Sequence, residues 1–117
     1  MPLHGRGHIK QGEMEVNIEN VKIVNTNWSF EPCLSHGITL AGNGWGIVFG
    51  GYCLKGPAAA DWIERVSSVL ELPDFNEKSM IGKIIRVKMD GNSVVAIGHP
   101  IKDKWFCPRE YFEGRYK

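Results

Sequence analysis

The segment GNGWGIVFGGYCL, Gly42 to Leu54, is the stretch from which we predict the fold. It opens with Gly-Asn-Gly, which favours a tight hairpin turn because glycine and asparagine adopt positive φ at little cost. The β-branched and aromatic residues that follow are typical of a strand, with Trp45, Ile47 and Phe49 on one face. Two glycines then interrupt the alternation, as they do at a bulge. Large side chains on both faces predict a central strand.

The rest of the chain predicts the element order βββαββ. Two β-rich segments, from Met14 and from Leu34, precede the quoted stretch. Pro57 suits the first position of a helix, and apolar residues at helical spacing continue to about Leu72. An Asp90-Gly91 turn between two β-branched runs predicts a final hairpin. We therefore expect an α+β fold, either a five-stranded antiparallel sheet or an OB-like barrel, with one amphipathic helix between strands 3 and 4.

Length and cysteine usage set the organisation of the chain. Its 117 residues suit one domain, which we place at 14–113, after a flexible glycine-rich leader at 1–13 and before a frayed tail at 114–117. Three cysteines are an odd number without C-x-x-C spacing, which argues against a disulfide framework and for a reducing cytoplasm. No apolar run has the length of a membrane span, so no membrane partner is expected.

Charge is divided along the chain although the net charge is only +1. The segment from Asp61 to Glu77 holds five acids and one base, whereas the segment from Lys83 to Arg109 holds six bases and two acids. This pattern describes a molecule with one acidic element and one basic face. It lacks the strongly basic footprint of a dedicated duplex-DNA binder.

Two motifs carry a resemblance to a known group of proteins. FGGYCL at 49–54 and IGHPIKDKWFCP at 97–108, with an amphipathic helix and IGKIIRV at 81–87 between them, resemble small accessory proteins of bacteriophages and prophages. The similarity covers about 14–112. It implies a viral or mobile-element protein that acts in the bacterial cytoplasm, and it brings no catalytic residues with it.

Basic side chains interleaved with aromatic rings form the most suggestive pattern for binding. Such a pattern can hold phosphates with cations and bases with rings, although the same rings could instead close the core. The candidate binding residues are Arg86, Lys88, His99, Lys102, Lys104, Trp105, Phe106, Trp45 and Tyr52.

Catalytic and metal sites are weaker interpretations. Cys53 and His99 could act as thiolate and base, but the sequence implies no acid to orient the histidine. A zinc site would have to combine scattered ligands drawn from Cys33, His36, Cys53, His99 and Cys107. We therefore expect no enzymatic activity, no metal and no cofactor.

Two classes of function follow. The preferred hypothesis is a non-catalytic phage protein that inhibits a host antiviral defence, such as a CRISPR system, by binding a host protein or a nucleotide. If the target is a host protein, the interface needs exposed apolar anchors. The candidates are Trp105-Phe106 and the loop with Trp28 and Phe30. The alternative is an OB-like protein that binds single-stranded nucleic acid in phage replication or recombination. The oligomeric state, the identity of the target and the natural start, Met1 or Met14, stay open.

Overall fold

The computed structural model describes residues 7–11 and 14–115, which form an α+β fold with an open antiparallel sheet and three small helices. The elements in chain order are β1 (Gly7–Gln11), β2 (Met14–Ser29), β3 (Ser35–Ala41), β4 (Gly46–Gly50), α1 (Pro57–Leu70), α2 (Glu77–Met80), β5 (Ile84–Asp90), β6 (Ser93–Gly98), β7 (Trp105–Phe106) and α3 (Pro108–Arg115).

The long strand β2 holds the sheet together. Its first half pairs with β1 and β5, and its second half pairs with β3. Lys22 has partners in both β3 and β5, so these two strands lie on opposite sides of β2. The resulting order is β4-β3-β2-β5-β6-β7, with β1 paired to β2 beyond the end of β3.

The expected count of five strands is not confirmed, because β1 and β7 also pair into the sheet. Strand β1 lies inside the segment 1–13 that we expected to be a flexible leader; the other residues of that segment lie outside the described ones. Of the expected frayed tail, residues 114–115 belong to α3, and residues 116–117 lie outside the described ones.

The prediction of a central strand from the Gly42–Leu54 segment is wrong. Strand β4 lies at one end of the sheet and has only five residues. Gly50 and Gly51, with φ of 109° and 82°, end the strand because they leave the extended region of backbone conformation. Within β4 itself the assignment of faces is correct, since Phe49 is buried and Val48 is exposed.

A closed barrel is not confirmed, and helix α1 accounts for the open sheet. The two ends of the sheet are β4 and β7, which do not pair with each other in the described residues. The ring of Trp62 lies 6.0 Å from that of Phe49 in β4 and 5.6 Å from that of Phe106 in β7. The helix therefore fills the space between the end strands. It lies between β4 and β5 in the chain, so the expected position between strands 3 and 4 is not confirmed.

Helix α1 forms for the local reasons that the sequence indicates. Pro57 occupies its first turn, where the missing N–H has no partner to lose. Glu71 ends it in the left-handed conformation, with φ of 56°. Its buried residues recur at helical spacing and face the sheet: Ala58, Trp62, Val66, Val69 and Leu70.

A bulge in β2 sets which side chains of that strand face the core. The register with β3 shifts between Ile23 and Asn25, which leaves Val24 as the extra residue, 42% exposed. Ile23 pairs with Leu40 before the bulge, and Thr26 pairs with Ile38 after it. All four side chains are buried, so the inner face changes from odd to even positions at Val24.

Cys33 and Cys53 form a disulfide, contrary to the expectation of reduced cysteines. The bond joins the loop after β2 to the segment after β4. Two backbone hydrogen bonds run alongside, from the Gly51 N–H to the His36 carbonyl and from the Leu54 N–H to the Leu34 carbonyl, each 2.9 Å. Together they fix the loop between β2 and β3 against the end of the sheet.

Candidate functional site

The sheet brings together six of the predicted binding residues, which we call the basic–aromatic face: Arg86, Lys88, His99, Lys102, Lys104 and Trp105. Arg86 pairs with Gly98, and Gly98 pairs with Trp105, so the three lie in one row across β5, β6 and β7. The Trp105 ring covers Gly98, where a Cβ atom would lie only 2.5 Å from the ring. The Arg86 guanidinium and the Lys88 ammonium lie 4.9 Å and 4.4 Å from the ring centroid.

The cations of this face are already bound within the protein. Arg86 donates to the carbonyls of His99 and Lys102, at 2.7 Å and 2.8 Å. The Trp105 Nε1–H donates to the Asp103 carboxylate at 3.1 Å. Nδ1 of His99 accepts the backbone N–H groups of residues 101 and 102. These contacts hold the loop of residues 99–104 in one conformation, so the side chains that make them have a structural role.

Glu71, at the end of α1, neutralises the lysines of the same loop. The ammonium groups of Lys102 and Lys104 each lie 2.7 Å from its Oε2, and Nε2 of His99 lies 3.5 Å from its Oε1. The hydrogen bond from Lys102, followed by that from Lys104, lowers the pKa of Glu71 to about 2. One carboxylate therefore holds two lysines at neutral pH.

Three other predicted binding residues lie away from this face. Phe106 is buried in the core against Trp62, so its ring is not available to a ligand. Trp45 is half-buried and packs directly over Gly42. Tyr52 is exposed and its ring lies 6.1 Å from that of Trp62.

The disulfide also bears on the catalytic and zinc interpretations. Cys33 and Cys53 are bonded to each other, so Cys53 offers no thiolate and neither residue is free to bind zinc. Cys107 is a free, half-buried cysteine. Among the described residues, no group of three histidine, cysteine or acidic side chains is arranged to hold a metal ion.

A second site, which the sequence analysis did not identify, lies at the open end of the core. It is a cavity of about 330 Å³, which we call the aromatic cleft. The sheet contributes one wall, made of Thr26, Asn27, Trp28 and His36. The other wall is formed by α2 and the two residues before it, with Phe75, Asn76, Glu77 and Met80. This volume is at the lower end of the range for small-ligand sites.

His36 is the polar centre of the aromatic cleft. Its Nδ1 accepts a hydrogen bond from the Trp62 Nε1–H at 3.1 Å, so the proton of the neutral ring is on Nε2. Burial lowers the pKa of His36 from 6.5 to about 4, and the ring is neutral at physiological pH. Its Nε2–H has no hydrogen-bond partner among the described residues, so this donor is available to a ligand.

Three rings form a continuous aromatic wall. Those of Trp28 and His36 lie 4.6 Å apart, those of His36 and Phe75 4.9 Å, and those of Trp28 and Phe75 6.0 Å. Asn76 caps α2 by accepting the Ser79 N–H at 2.9 Å, which leaves its amide N–H donors for other partners. The cleft thus combines a stacking surface with donors and one carboxylate, that of Glu77.

The sequence indicates only two residues of the aromatic cleft. From the sequence, His36 is a candidate zinc ligand and Trp28 a candidate apolar anchor, and nothing in the sequence makes them neighbours. They meet because they are paired across β2 and β3 after the bulge. The Asn-Glu pair at the start of α2 is a helix-capping signal that could have placed residues 76–77 at a helix end.

Comparison with known proteins finds no matching family model, no matching curated protein and no matching solved structure.

No helix within the described residues is long and apolar enough to cross a membrane.

Proposed function

We propose that this protein is a non-catalytic, phage-type binding protein that inhibits a host antiviral defence by docking onto a host protein. The observation that supports docking is the exposed aromatic pair beside the aromatic cleft. Phe30 is 70% exposed and Trp28 is 37% exposed, and both belong to the end of β2 and its loop. The phage context comes only from the resemblance of the two motifs.

The structure favours one of the two predicted anchor sites over the other. An interface needs aromatic anchors that can leave water on binding. Phe106 is buried, so the Trp105-Phe106 pair cannot serve as an anchor. The loop with Phe30 is exposed and is held in place by the Cys33–Cys53 bond, which reduces the entropy lost when it docks.

The cellular location is part of the proposal. The resemblance implies the bacterial cytoplasm, where thiols are kept reduced. The bond between Cys33 and Cys53 argues for an oxidising environment instead. A host target at the cell envelope is compatible both with the Cys33–Cys53 disulfide and with the proposed docking.

The proposal is tested by a plaque assay with two matched variants. Host strains that each carry one defence system express the wild-type protein, Phe30→Asp or Ile101→Asp, and are infected with a sensitive phage. Ile101 is 84% exposed on the loop of residues 99–104, so its substitution is the control. We expect wild type and Ile101→Asp to restore plaques in one strain and Phe30→Asp to fail. Protection that survives Phe30→Asp, or that no strain shows, would contradict the proposal.

The alternative, an OB-like binder of single-stranded nucleic acid, is supported by the gathering of Arg86, Lys88 and Trp105. It is the weaker candidate for two reasons. Glu71 already pairs with Lys102 and Lys104, and the Trp105 ring is covered by cations and by Gly98.

A further inference from the structure

The aromatic cleft contains a carboxylate that the docking of Phe30 does not explain. Glu77 is the one charged side chain among the described residues that line it. No described residue forms an ion pair or a side-chain hydrogen bond with this carboxylate. The adjacent rings present electron-rich faces, which add to the negative potential of the cleft. The site therefore suits a cation.

The cleft also has a donor that lacks an acceptor. His36 is only 2% exposed, and its Nε2–H has no partner in the described part of the chain. The Nε2 atom is not fully buried, so this N–H reaches the cleft, where water can accept its hydrogen bond. A ligand that fills the cleft displaces this water, so it should supply an acceptor oxygen as well as a positive charge.

We propose that the aromatic cleft binds an arginine side chain of the protein partner, with the planar guanidinium against Trp28 and Phe75 and paired with Glu77. This inference rests on the proposed function, since it names the chemistry of the docking partner. The backbone carbonyl of the same partner segment is the acceptor for the His36 Nε2–H.

Arginine fits the cleft better than the other cations and rings that could enter it. A guanidinium is flat, stacks on aromatic faces and pairs with a carboxylate through two N–H groups, whereas a lysine ammonium is a compact point charge. A nucleotide would bring its phosphates towards Glu77, and no described lining residue is a cation that could neutralise them.

The test is a titration followed by the indole N–H signals of the four tryptophans in an NMR spectrum. The probe is N-acetyl-arginine methylamide, and its neutral isostere, N-acetyl-citrulline methylamide, is the matched control. The Trp28→Phe variant assigns the Trp28 signal, and the buried Trp62 signal reports that each variant is folded. We expect the arginine probe to shift Trp28 and to bind at least about tenfold more tightly than citrulline.

Variants then test the role of the carboxylate. Glu77→Gln should remove the preference for arginine over citrulline, and Glu64→Gln, on the exposed face of α1, should retain it. Equal affinities of the two probes, tighter binding of adenosine or guanosine, or no Trp28 shift with any probe would overturn the inference.

If the plaque assay succeeds while this titration fails, the docking proposal survives and only the arginine assignment is lost. Arginine binding with a negative plaque assay contradicts the proposed function alone.

Discussion

The pair of His36 and Trp62 joins the core to the aromatic cleft through one hydrogen bond. The Trp62 Nε1–H donates to His36 from the core side, and the other nitrogen of the imidazole faces the cleft. The bond fixes both the tautomer and the ring orientation of His36. The residue thus links the packing of α1 to the chemistry of the site.

Neutral His36 makes stability depend on pH. Its pKa is about 4 in the folded protein and 6.5 as the ordinary value, so between these values the unfolded chain binds a proton that the folded chain does not. Stability from neutral His36 is fully present above pH 6.5. As the pH falls to 4, the free energy of unfolding decreases by up to about 3 kcal/mol, because the unfolded chain takes up the proton first. Denaturant unfolding of wild type and His36→Gln at several pH values measures it.

We expect the His36→Gln curve to be flatter than that of wild type over this pH window. Glutamine keeps an acceptor for the Trp62 N–H but does not titrate. Parallel pH dependences of the two proteins would show that His36 is not the group responsible.

At the scale of elements, α1 is the helix that fills the open side of the sheet. Trp62 is fully buried between β4 and β7, so Trp62→Ala should lower the free energy of unfolding by about 3–5 kcal/mol. Glu64→Ala changes an exposed residue of the same helix and should stay within about 0.5 kcal/mol of wild type. Equal denaturation midpoints for the two variants would mean that the helix does not pack as described.

The elements that the sequence predicted well are those with local signals. Helix α1 is confirmed, because Pro57 and the helical spacing of apolar residues lie within the helix itself. The hairpin of β5 and β6 is confirmed too, with Gly91 at a positive φ of 64° in its turn. Strand β7 was missed since two residues leave no periodicity to detect.

Tertiary relations were predicted less well. The alternation around Phe49 was read correctly, but nothing in a strand's own sequence says whether it has one neighbour or two. The aromatic cleft depends on residues of β2, β3 and the start of α2, which are distant in sequence. Only the sheet register and the bulge bring Trp28, His36 and Phe75 together.

At the scale of the whole molecule, the acidic end of α1 and the basic loop of residues 99–104 pair with each other through Glu71. We expect no binding of a single-stranded oligonucleotide at physiological salt, measured by fluorescence anisotropy. Glu71→Gln frees Lys102 and Lys104 and should be the variant with the greater affinity.

The alternative function predicts a different result for the same titration. Submicromolar binding would then weaken with salt at a log–log slope of about −0.7 per neutralised phosphate. Alanine at Arg86 and Lys88 would reduce that slope, and Trp105→Ala would weaken binding by about 1–3 kcal/mol. Such behaviour would place nucleic-acid binding ahead of protein docking.

The extra residue of β2, Val24, shifts the alternation of side chains in the strand, much as one inserted base shifts the reading frame of a coding sequence. Upstream of Val24 the strand is read in one frame, which turns Ile23 inward. Downstream it is read in the other, which turns Thr26 inward and places Trp28 on the same face, at the cleft. A chain one residue shorter at that point has a single frame and cannot satisfy both halves. The hydrophobic core and the aromatic cleft are therefore compatible in this strand only while Val24 separates them.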